Sequence, residues 1–344
     1  MIENGNRPSV AVVILNWNGR AFLEKYLPGV IAHSGDSAIV VADNDSSDDS
    51  VEFVRDNFPS VELIINKENG GYAKGYNDAL KKVKADYYVL LNSDIEVTPG
   101  WTEPLTELME SDKTIAACQP KLLALHQRDE FEYAGASGGY IDKWGYPFCR
   151  GRIFGHLEKD NGQYDDPEEV FWASGAAMFV RSKAFWEAGG LDEDFFAHME
   201  EIDLCWRFKN MGYKIMVQPQ STVYHVGGGT LPKNSPRKTY LNFRNNFYLL
   251  YKNLPKESFV KVFIFRLIWD GVAGFKFMAE GHWRDSFAVI KAHWHFYKNI
   301  GKNKKKRKLL TQRHVSKIYR KNIVFEHFIR RKNKFSELKK ENFS

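Results

Sequence analysis

A chain of 344 residues with 43% hydrophobic and 27% charged side chains can bury a full core, which sets aside a disordered or low-complexity protein. Its three cysteines, Cys118, Cys149 and Cys205, are widely spaced and form no CxxC pair, so neither a disulfide framework nor a cysteine-zinc site is expected. The net charge of +6 conceals two regions: residues 258–344 hold 22 Lys and Arg against 6 Asp and Glu, a net of +16, while the other residues, 27 basic and 37 acidic, carry −10.

Met1 to Val10 has neither a basic nor an apolar leader segment, and no run of about 18 apolar residues follows. A cytoplasmic protein is expected, at most peripheral at the inner face of the cytoplasmic membrane. Val10-Ala-Val-Val-Ile-Leu15 reads as a buried strand ending at Asn16-Trp-Asn-Gly19, with a helix after it. Ala38-Ile-Val-Val-Ala42 is a second strand, closed by the acidic run from Asp43 to Ser50; Ser50 to Asn57 reads as a helix. Val61 to Ile65 is a third strand, Tyr72 to Lys84 a helix, and Tyr87 to Leu91 a fourth strand ending at Asn92-Ser-Asp94. This alternation predicts an α/β fold around a mixed, mostly parallel, doubly wound sheet, with ligands at the carboxyl ends of the strands. Gly-rich turns fill 135–155, and Lys214 to His225 reads as a further strand running into Gly227-Gly-Gly229.

Past Pro236 the character changes. Tyr240 to Tyr251 is aromatic and helical. From Ser258 to Glu280, Val260, Phe263, Ile264, Leu267, Gly271, Gly274, Phe275 and Met278 recur at helical spacing, opposite Lys261, Arg266, Asp270, Lys276 and Glu280. A second aromatic stretch, Trp283 to Tyr297, leads into the basic run Lys302 to Lys308. The division expected is a catalytic domain over 1–235 and a helical, basic region over 236–344. Its stripe and charge fit an anionic membrane surface, met through 258–308. They equally fit a helix packed on the catalytic domain or on a second copy of the chain in a homo-oligomer. No nucleic-acid partner is expected, because no binding module accompanies the charge.

Four places in the chain stand where chemistry is performed. Asp94 follows an apolar strand and can hold a divalent cation at the sheet edge, Mg²⁺ or Mn²⁺ given oxygen ligands and a diphosphate; a polar turn is the plain alternative. Asp43 can accept the N3–H of a pyrimidine, while Ser46 to Ser50 cap the next helix. In Glu200-Glu-Ile-Asp203, Glu200 and Asp203 share a helix face; a carboxylate there can act as general base, or the run is an acidic helix start with Arg207 pairing Asp203. His225 ends a strand before glycines that admit a ligand closely, and can join the metal or the diphosphate.

Taken in order, seven segments resemble glycosyltransferase family 2, the inverting GT-A enzymes, and within it the bacterial rhamnosyltransferase-like branch. They are Asn16-Trp-Asn-Gly19, Asp43-Asn-Asp-Ser-Ser-Asp48, Asn69 to Asn77, Leu91-Asn-Ser-Asp94, Ser174-Gly-Ala-Ala-Met178, Glu200 to Cys205 with Arg207, and His225 to Gly229, covering about residues 8 to 255. The resemblance implies a GT-A fold and a metal-dependent sugar transfer from a nucleoside-diphosphate donor, dTDP-rhamnose or a UDP-hexose, to a glycan or lipid-linked acceptor in cell-surface glycan synthesis. It assigns Asn16, Asp43, Asn69, Lys74, Asn92 and Ser93 to the donor. Asp94 and His225 go to Mn²⁺ or Mg²⁺, and Glu201 becomes the catalytic base, with Gly175, Ala176, Glu200 and Asp203 on the acceptor side. Asn92 departs from the family's first acidic position, and Glu201 stands where Asp is commoner. These two departures keep open a catalytically weak glycan- or lipid-binding assembly subunit. A nucleotidyltransferase is disfavoured because Asn16-Trp-Asn-Gly19 lacks a basic triphosphate loop.

Overall fold

The computed structural model of the chain describes residues 7–227 and 235–344; the predicted glycines Gly228 and Gly229 lie outside them. The first half alternates as read: β1 (Val10–Asn16), α1 (Arg20–His33), β2 (Ala38–Asp43), α2 (Ser50–Asn57), β3 (Glu62–Ile65), α3 (Gly71–Leu80) and β4 (Tyr87–Asn92). Then come β5 (Ile95–Val97), α4 (Thr102–Ser111), β6 (Ile115–Ala124) and four short strands, β7 (Gly139–Asp142), β8 (Pro147–Cys149), β9 (Arg152–Ile153) and β10 (His156–Leu157). After these follow β11 (Glu168–Val170), β12 (Ala177–Arg181), α5 (Ser182–Glu187), α6 (Glu200–Met211) and β13 (Lys214–His225). The C-terminal part holds α7 (Pro236–Asn253), α8 (Lys256–Ala279), α9 (Trp283–Lys298), α10 (Ile300–Leu309), β14 (Ile318–Tyr319) and α11 (Ile323–Phe328).

The central sheet runs β11-β13-β6-β12-β4-β1-β2-β3, with β5 on β13. Strands β1 to β4 are parallel to one another, and β12 enters antiparallel between β4 and β6. Burial on both faces explains the unbroken apolar runs. In β1, Ala11 and Val13 pack toward Tyr76 and Leu90 on the α3 side, Val12 and Ile14 toward Leu23 and Leu27 of α1 on the other. The Gly-rich stretch from 139 to 157, read only as turns, forms a second small sheet, β10-β9-β8-β7, to which β14 adds from the far end of the chain.

Register decides which polar residues meet. Asn16 pairs opposite Asp43, and Leu15 opposite Asn92, so three strands stop at one edge. Ala177 pairs with Leu91, which sets Ala176 against Asn92, the last residue of β4, and Gly175 just beyond it. Ile95 pairs with His225, which sets that histidine beside Asp94.

The C-terminal helices turn one expectation around. The predicted stripe of α8 has Lys261, Arg266, Asp270, Lys276 and Glu280 on its polar side; of these Arg266 and Asp270 are buried, together with Val262, while Lys261, Lys276 and Glu280 stay exposed. Arg266 pairs with Asp270 at 2.9 Å, Asp270 lies 3.3 Å from His293 of α9, and Arg266 covers the Tyr146 ring. Ile264 and Phe275 face outward, 53% and 75% exposed. Leu267 and Phe263 pack partly against the core. No helix among the described residues is long and apolar enough to cross a membrane.

Candidate active site

At the carboxyl edge of β1 and β2 the side chains hold one another. Asp43 is buried and accepts from Asn16 Nδ2 at 3.1 Å and from Ser46 N and Oγ at 2.9 and 2.6 Å. Asn69 Oδ1 accepts from Asn44 Nδ2 and Gly71 N, both at 3.0 Å, and Asn66 Nδ2 reaches Asn44 Oδ1 at 3.2 Å. Asn44 and Asn66 were missed by the sequence reading, although each ends or follows a strand at this same edge. Lys74 is turned along α3 to pair with Asp78, with Glu68 at 3.6 Å, rather than toward Asp43.

Beyond β4, Asp94 is buried and its Oδ1 lies 3.1 Å from His225 Nε2, with Asn92 Nδ2 at 3.5 Å from the same nitrogen. His225 Nδ1 stands 3.2 Å from Glu132 Oε1, off the line of a good hydrogen bond. Burial works against a charge on His225, but the two carboxylates outweigh it and push its pKa up to about 10. Glu132 was not singled out in the sequence. It stands behind His225 as an orienting carboxylate does behind a metal-binding imidazole. Asp94 and His225 are two donors of the types that accept Mn²⁺ or Mg²⁺. Such ions commonly take few protein ligands and fill their shell with diphosphate oxygens and water, so the residues present fit a divalent cation. Among the described residues no set of three or more such side chains converges.

The acceptor-side residues are reached through one short segment. Asn92 N donates to Ala176 O at 2.9 Å, and Tyr72 Oη donates to Gly175 O at 2.5 Å. A Cβ on Gly175 would lie 2.8 Å from Tyr72 Oη and 3.6 Å from Glu201 Cβ, so only glycine leaves this approach open. Ser93 stays in the turn between β4 and β5. Glu200 and Glu201 open α6, and the Oε2 of each is enclosed without a hydrogen-bond partner among the described residues. Burial pushes Glu201 from the ordinary 4.5 up to about 7; burial and the charge of Glu201 push Glu200 higher still. Orphaned buried carboxylates are costly, and they concentrate where chemistry is done. Asp203 is different: fully buried, it is consumed by Arg207 Nε and Lys252 Nζ at 2.9 Å and Asn253 Nδ2 at 2.8 Å, tying α6 to α7.

The loop before α6 is strained, with Phe196, His198 and Met199 at φ of 65°, 70° and 71°. Asn245 of α7 fixes it by donating from Nδ2 to the carbonyls of Phe195, Ala197 and His198 at 3.0, 2.9 and 2.7 Å. Neither the strain nor its clamp carries a sequence signal.

Known proteins are similar to this chain in sequence and in fold. N-acetylglucosaminyl-diphospho-decaprenol L-rhamnosyltransferase of Mycobacterium tuberculosis is 25% identical over 233 residues, 62% of this chain and 75% of its own. The dTDP-rhamnosyl transferase RfbF of Shigella flexneri is 25% identical over 245 residues, 67% and 76% of the two chains. Among solved structures, GalNAc-T7 with UDP, GalNAc and Mn²⁺ superposes with a TM-score of 0.57 at 17% identity, over 74% of this chain and about half (49%) of that one, which establishes the GT-A fold. The family model of Glycosyl transferase family 2 matches residues 11–188, more than half of the chain and every strand end described from Asn16 to Asp94. The chain therefore belongs to glycosyltransferase family 2.

Proposed function

We propose that this glycosyltransferase moves one sugar, with inversion, from a dTDP- or UDP-linked donor to a hydroxyl of a lipid-linked or polysaccharide acceptor. The observation that carries the reading is the juxtaposition across Gly175 and Ala176: a carboxylate–histidine pair at the end of β4 on one side, and Glu201, whose enclosed Oε2 has no hydrogen-bond partner among the described residues, on the other. Asp43, Asn16 and Asn69 line the nucleoside end. Asp94 and His225 would hold a divalent cation, which when bound would supply positive charge against the departing diphosphate. Glu201 takes the proton of the acceptor hydroxyl as that oxygen bonds to the anomeric carbon. The bond from that carbon to the diphosphate oxygen breaks, and its electron pair leaves with the nucleoside diphosphate. A raised pKa suits Glu201 to this role, because a base near 7 is strong and remains about half ionised at neutral pH.

The C-terminal helices support an enzyme working at the inner face of the cytoplasmic membrane. On α8, Val260, Ile264, Ile268, Val272 and Phe275 are exposed; on α9, Trp283, Phe287, Ile290, Trp294 and Tyr297 are exposed. Each set recurs at three- and four-residue spacing, and Arg284, Lys291 and Lys298 border the second. Apolar and interfacial aromatic side chains beside cations suit an anionic leaflet. A like copy would instead bring two basic faces together. The M. tuberculosis relative is named for a diphospho-decaprenol acceptor, which lies in a membrane.

The test is release of nucleoside diphosphate from a panel of donors, with and without Mn²⁺, with a polyprenyl-diphospho-sugar as acceptor. Metal-stimulated release from one donor is expected. No release from any donor under any condition overturns the reading and leaves a binding subunit. Flotation with phosphatidylglycerol vesicles tests the membrane contact: Ile268→Glu with Trp294→Glu should abolish it, and unchanged flotation of that variant refutes it.

A further inference from the structure

Between the first turns of α7 and α9 lies a groove of about 590 Å³, lined by Arg237, Tyr240, Trp283, Arg284, Phe287 and Lys291. Its three cations make no ion pair among the described residues. Each instead lies over an aromatic ring: Arg237 over Phe196 at 5.2 Å, Arg284 over Trp283 at 5.2 Å, Lys291 over Tyr240 at 5.5 Å. Arg244 and Lys298, elsewhere on these two helices, also lie over rings, whereas other cations of α7 and α10 are held by carboxylates. Lys252 and Lys306 are committed to Asp192, and Lys302 to Asp194. The carboxylate of Asp285, on the first turn of α9, is taken by Thr239 Oγ1 at 2.6 Å. Three uncompensated positive charges in a concave, half-aromatic site are a receptor for a group that is multiply anionic at one end and apolar at the other.

Two further features say which such group. Trp283 and Phe287 belong at once to the groove and to the exposed apolar face of α9, so an occupant's apolar part continues onto the surface that meets the bilayer. Phe196, under Arg237, belongs to the loop that delivers Glu200 and Glu201, and its carbonyl accepts from Tyr72 N at 2.7 Å. The groove therefore joins the membrane face to the acceptor side of the active site.

We infer that this groove binds the diphosphate of a polyprenyl-diphosphate-linked acceptor, with Arg237, Arg284 and Lys291 on the phosphates and the first prenyl units along Trp283 and Phe287. The inference rests on the lipid-linked acceptor proposed above. It adds the site at which the carrier, rather than the sugar, is recognised.

The experiment measures binding of the full chain to two vesicle types of equal surface charge. One is phosphatidylcholine with a polyprenyl diphosphate, the other phosphatidylcholine with phosphatidylglycerol. The wild type should prefer the diphosphate vesicles by about tenfold or more, the scale of losing one or two charge-assisted hydrogen bonds. Arg284→Ala with Lys291→Ala should erase that preference while leaving the melting temperature unchanged. Lys304→Ala with Lys305→Ala, two exposed cations of α10 outside the groove, should weaken binding to both vesicles and keep the preference. If the groove variant keeps the preference, or the α10 variant loses it equally, the groove assignment is wrong while the acceptor reading stands. If the wild type shows no preference, the polyprenyl-diphosphate acceptor fails and the groove assignment with it.

Discussion

Replacing Asn245 by alanine probes how Glu201, the proposed base, is presented. Three non-glycine residues in the left-handed region, Phe196, His198 and Met199, cost roughly 1–2 kcal/mol each, and something must hold them there. The amide of Asn245 spends its two protons on three carbonyls, while its Oδ1 accepts from Arg244. Removing it strips the amide donor from the carbonyls of Ala197 and His198, a loss of about 2–4 kcal/mol in total, while Phe195 O keeps Arg244 Nη2 at 2.9 Å. At about 2 °C per kcal/mol for a chain of this size, the melting temperature should fall by roughly 4–8 °C. The loop can then relax toward ordinary backbone angles and carry Glu201 with it, and a displacement of about 1 Å at the reacting group costs on the order of a hundredfold in turnover. The donor residues on β1 to β4 do not touch Asn245, so the donor KM should stay within about twofold of the wild type while kcat falls. Asn245→Asp, similar in size but presenting oxygen to three carbonyl oxygens, should be no better than alanine. A variant that melts and turns over like the wild type, or one that loses donor affinity and keeps kcat, refutes the positioning role.

Turnover should climb as pH rises through about 7, the pKa to which burial lifts Glu201, and Glu201→Gln should lower kcat by about 10²–10⁴-fold and flatten that profile while keeping donor binding. Stability should move the other way. The folded state holds the Glu201 proton more tightly than the unfolded chain, so wild-type stability declines as pH rises from about 4.5 through 7, and the Gln variant should melt higher than wild type at pH 8 but not at pH 4; equal melting at pH 8 counts against the buried charge. Glu132→Gln should weaken Mn²⁺ affinity by about 10–100-fold, read by metal titration of turnover, because it loosens His225 without removing a ligand; an unchanged affinity removes Glu132 from the site. Gly175→Ala must displace the Tyr72 hydroxyl from 2.8 Å, at about 1–3 kcal/mol, and should lower acceptor-dependent turnover more than donor hydrolysis; equal loss of both would place this segment on the donor side.

What the sequence reveals follows from how each residue is held. Asn16, Asp43, Asn92 and Asp94 are legible because strands buried on both faces spell apolar runs, and a polar residue that stops such a run marks the sheet edge. Glu200 and Glu201 are legible as an acidic helix start. That their Oε2 atoms stay unpaired is decided by tertiary packing. Glu132 is brought to His225 by the long β6–β13 pairing, across a sequence separation that no local pattern spans. Lys74 shows the opposite case: its i+4 carboxylate, Asp78, was in plain view and competes for the ammonium. On α8 the periodicity separates two faces but not which is inward. The buried Arg266–Asp270 pair finds its further partner, His293, on another helix, and that partner settles the orientation.

The same packing bears on how the C-terminal residues should be dissected. Lys306 reaches Asp192, Arg307 Nη2 donates to Leu254 O at 2.7 Å, and Tyr319, Ile323 and Leu338 share one core with α6 and α7. Burial alone would push the Asp192 carboxyl up. Lys252 and Lys306 overcome it and hold it well below the usual carboxylate range, so losing Lys306 leaves a buried charge partly uncompensated beside the loop of Glu201. A chain cut at Pro255 would lose these contacts together with the exposed apolar face. Its failure to bind vesicles would then report a disturbed α6–α7 frame as readily as a missing membrane contact. Point changes confined to the outward side chains, Ile268 and Trp294 for the bilayer and Arg284 and Lys291 for the carrier phosphates, leave that frame in place. Membrane attachment, carrier recognition and chemistry can therefore be lost one at a time. An enzyme whose Ile268→Glu/Trp294→Glu form still transfers sugar to a short-chain, water-soluble acceptor, while failing on vesicle-borne acceptor, would show that the apolar face delivers the substrate and takes no part in the transfer itself.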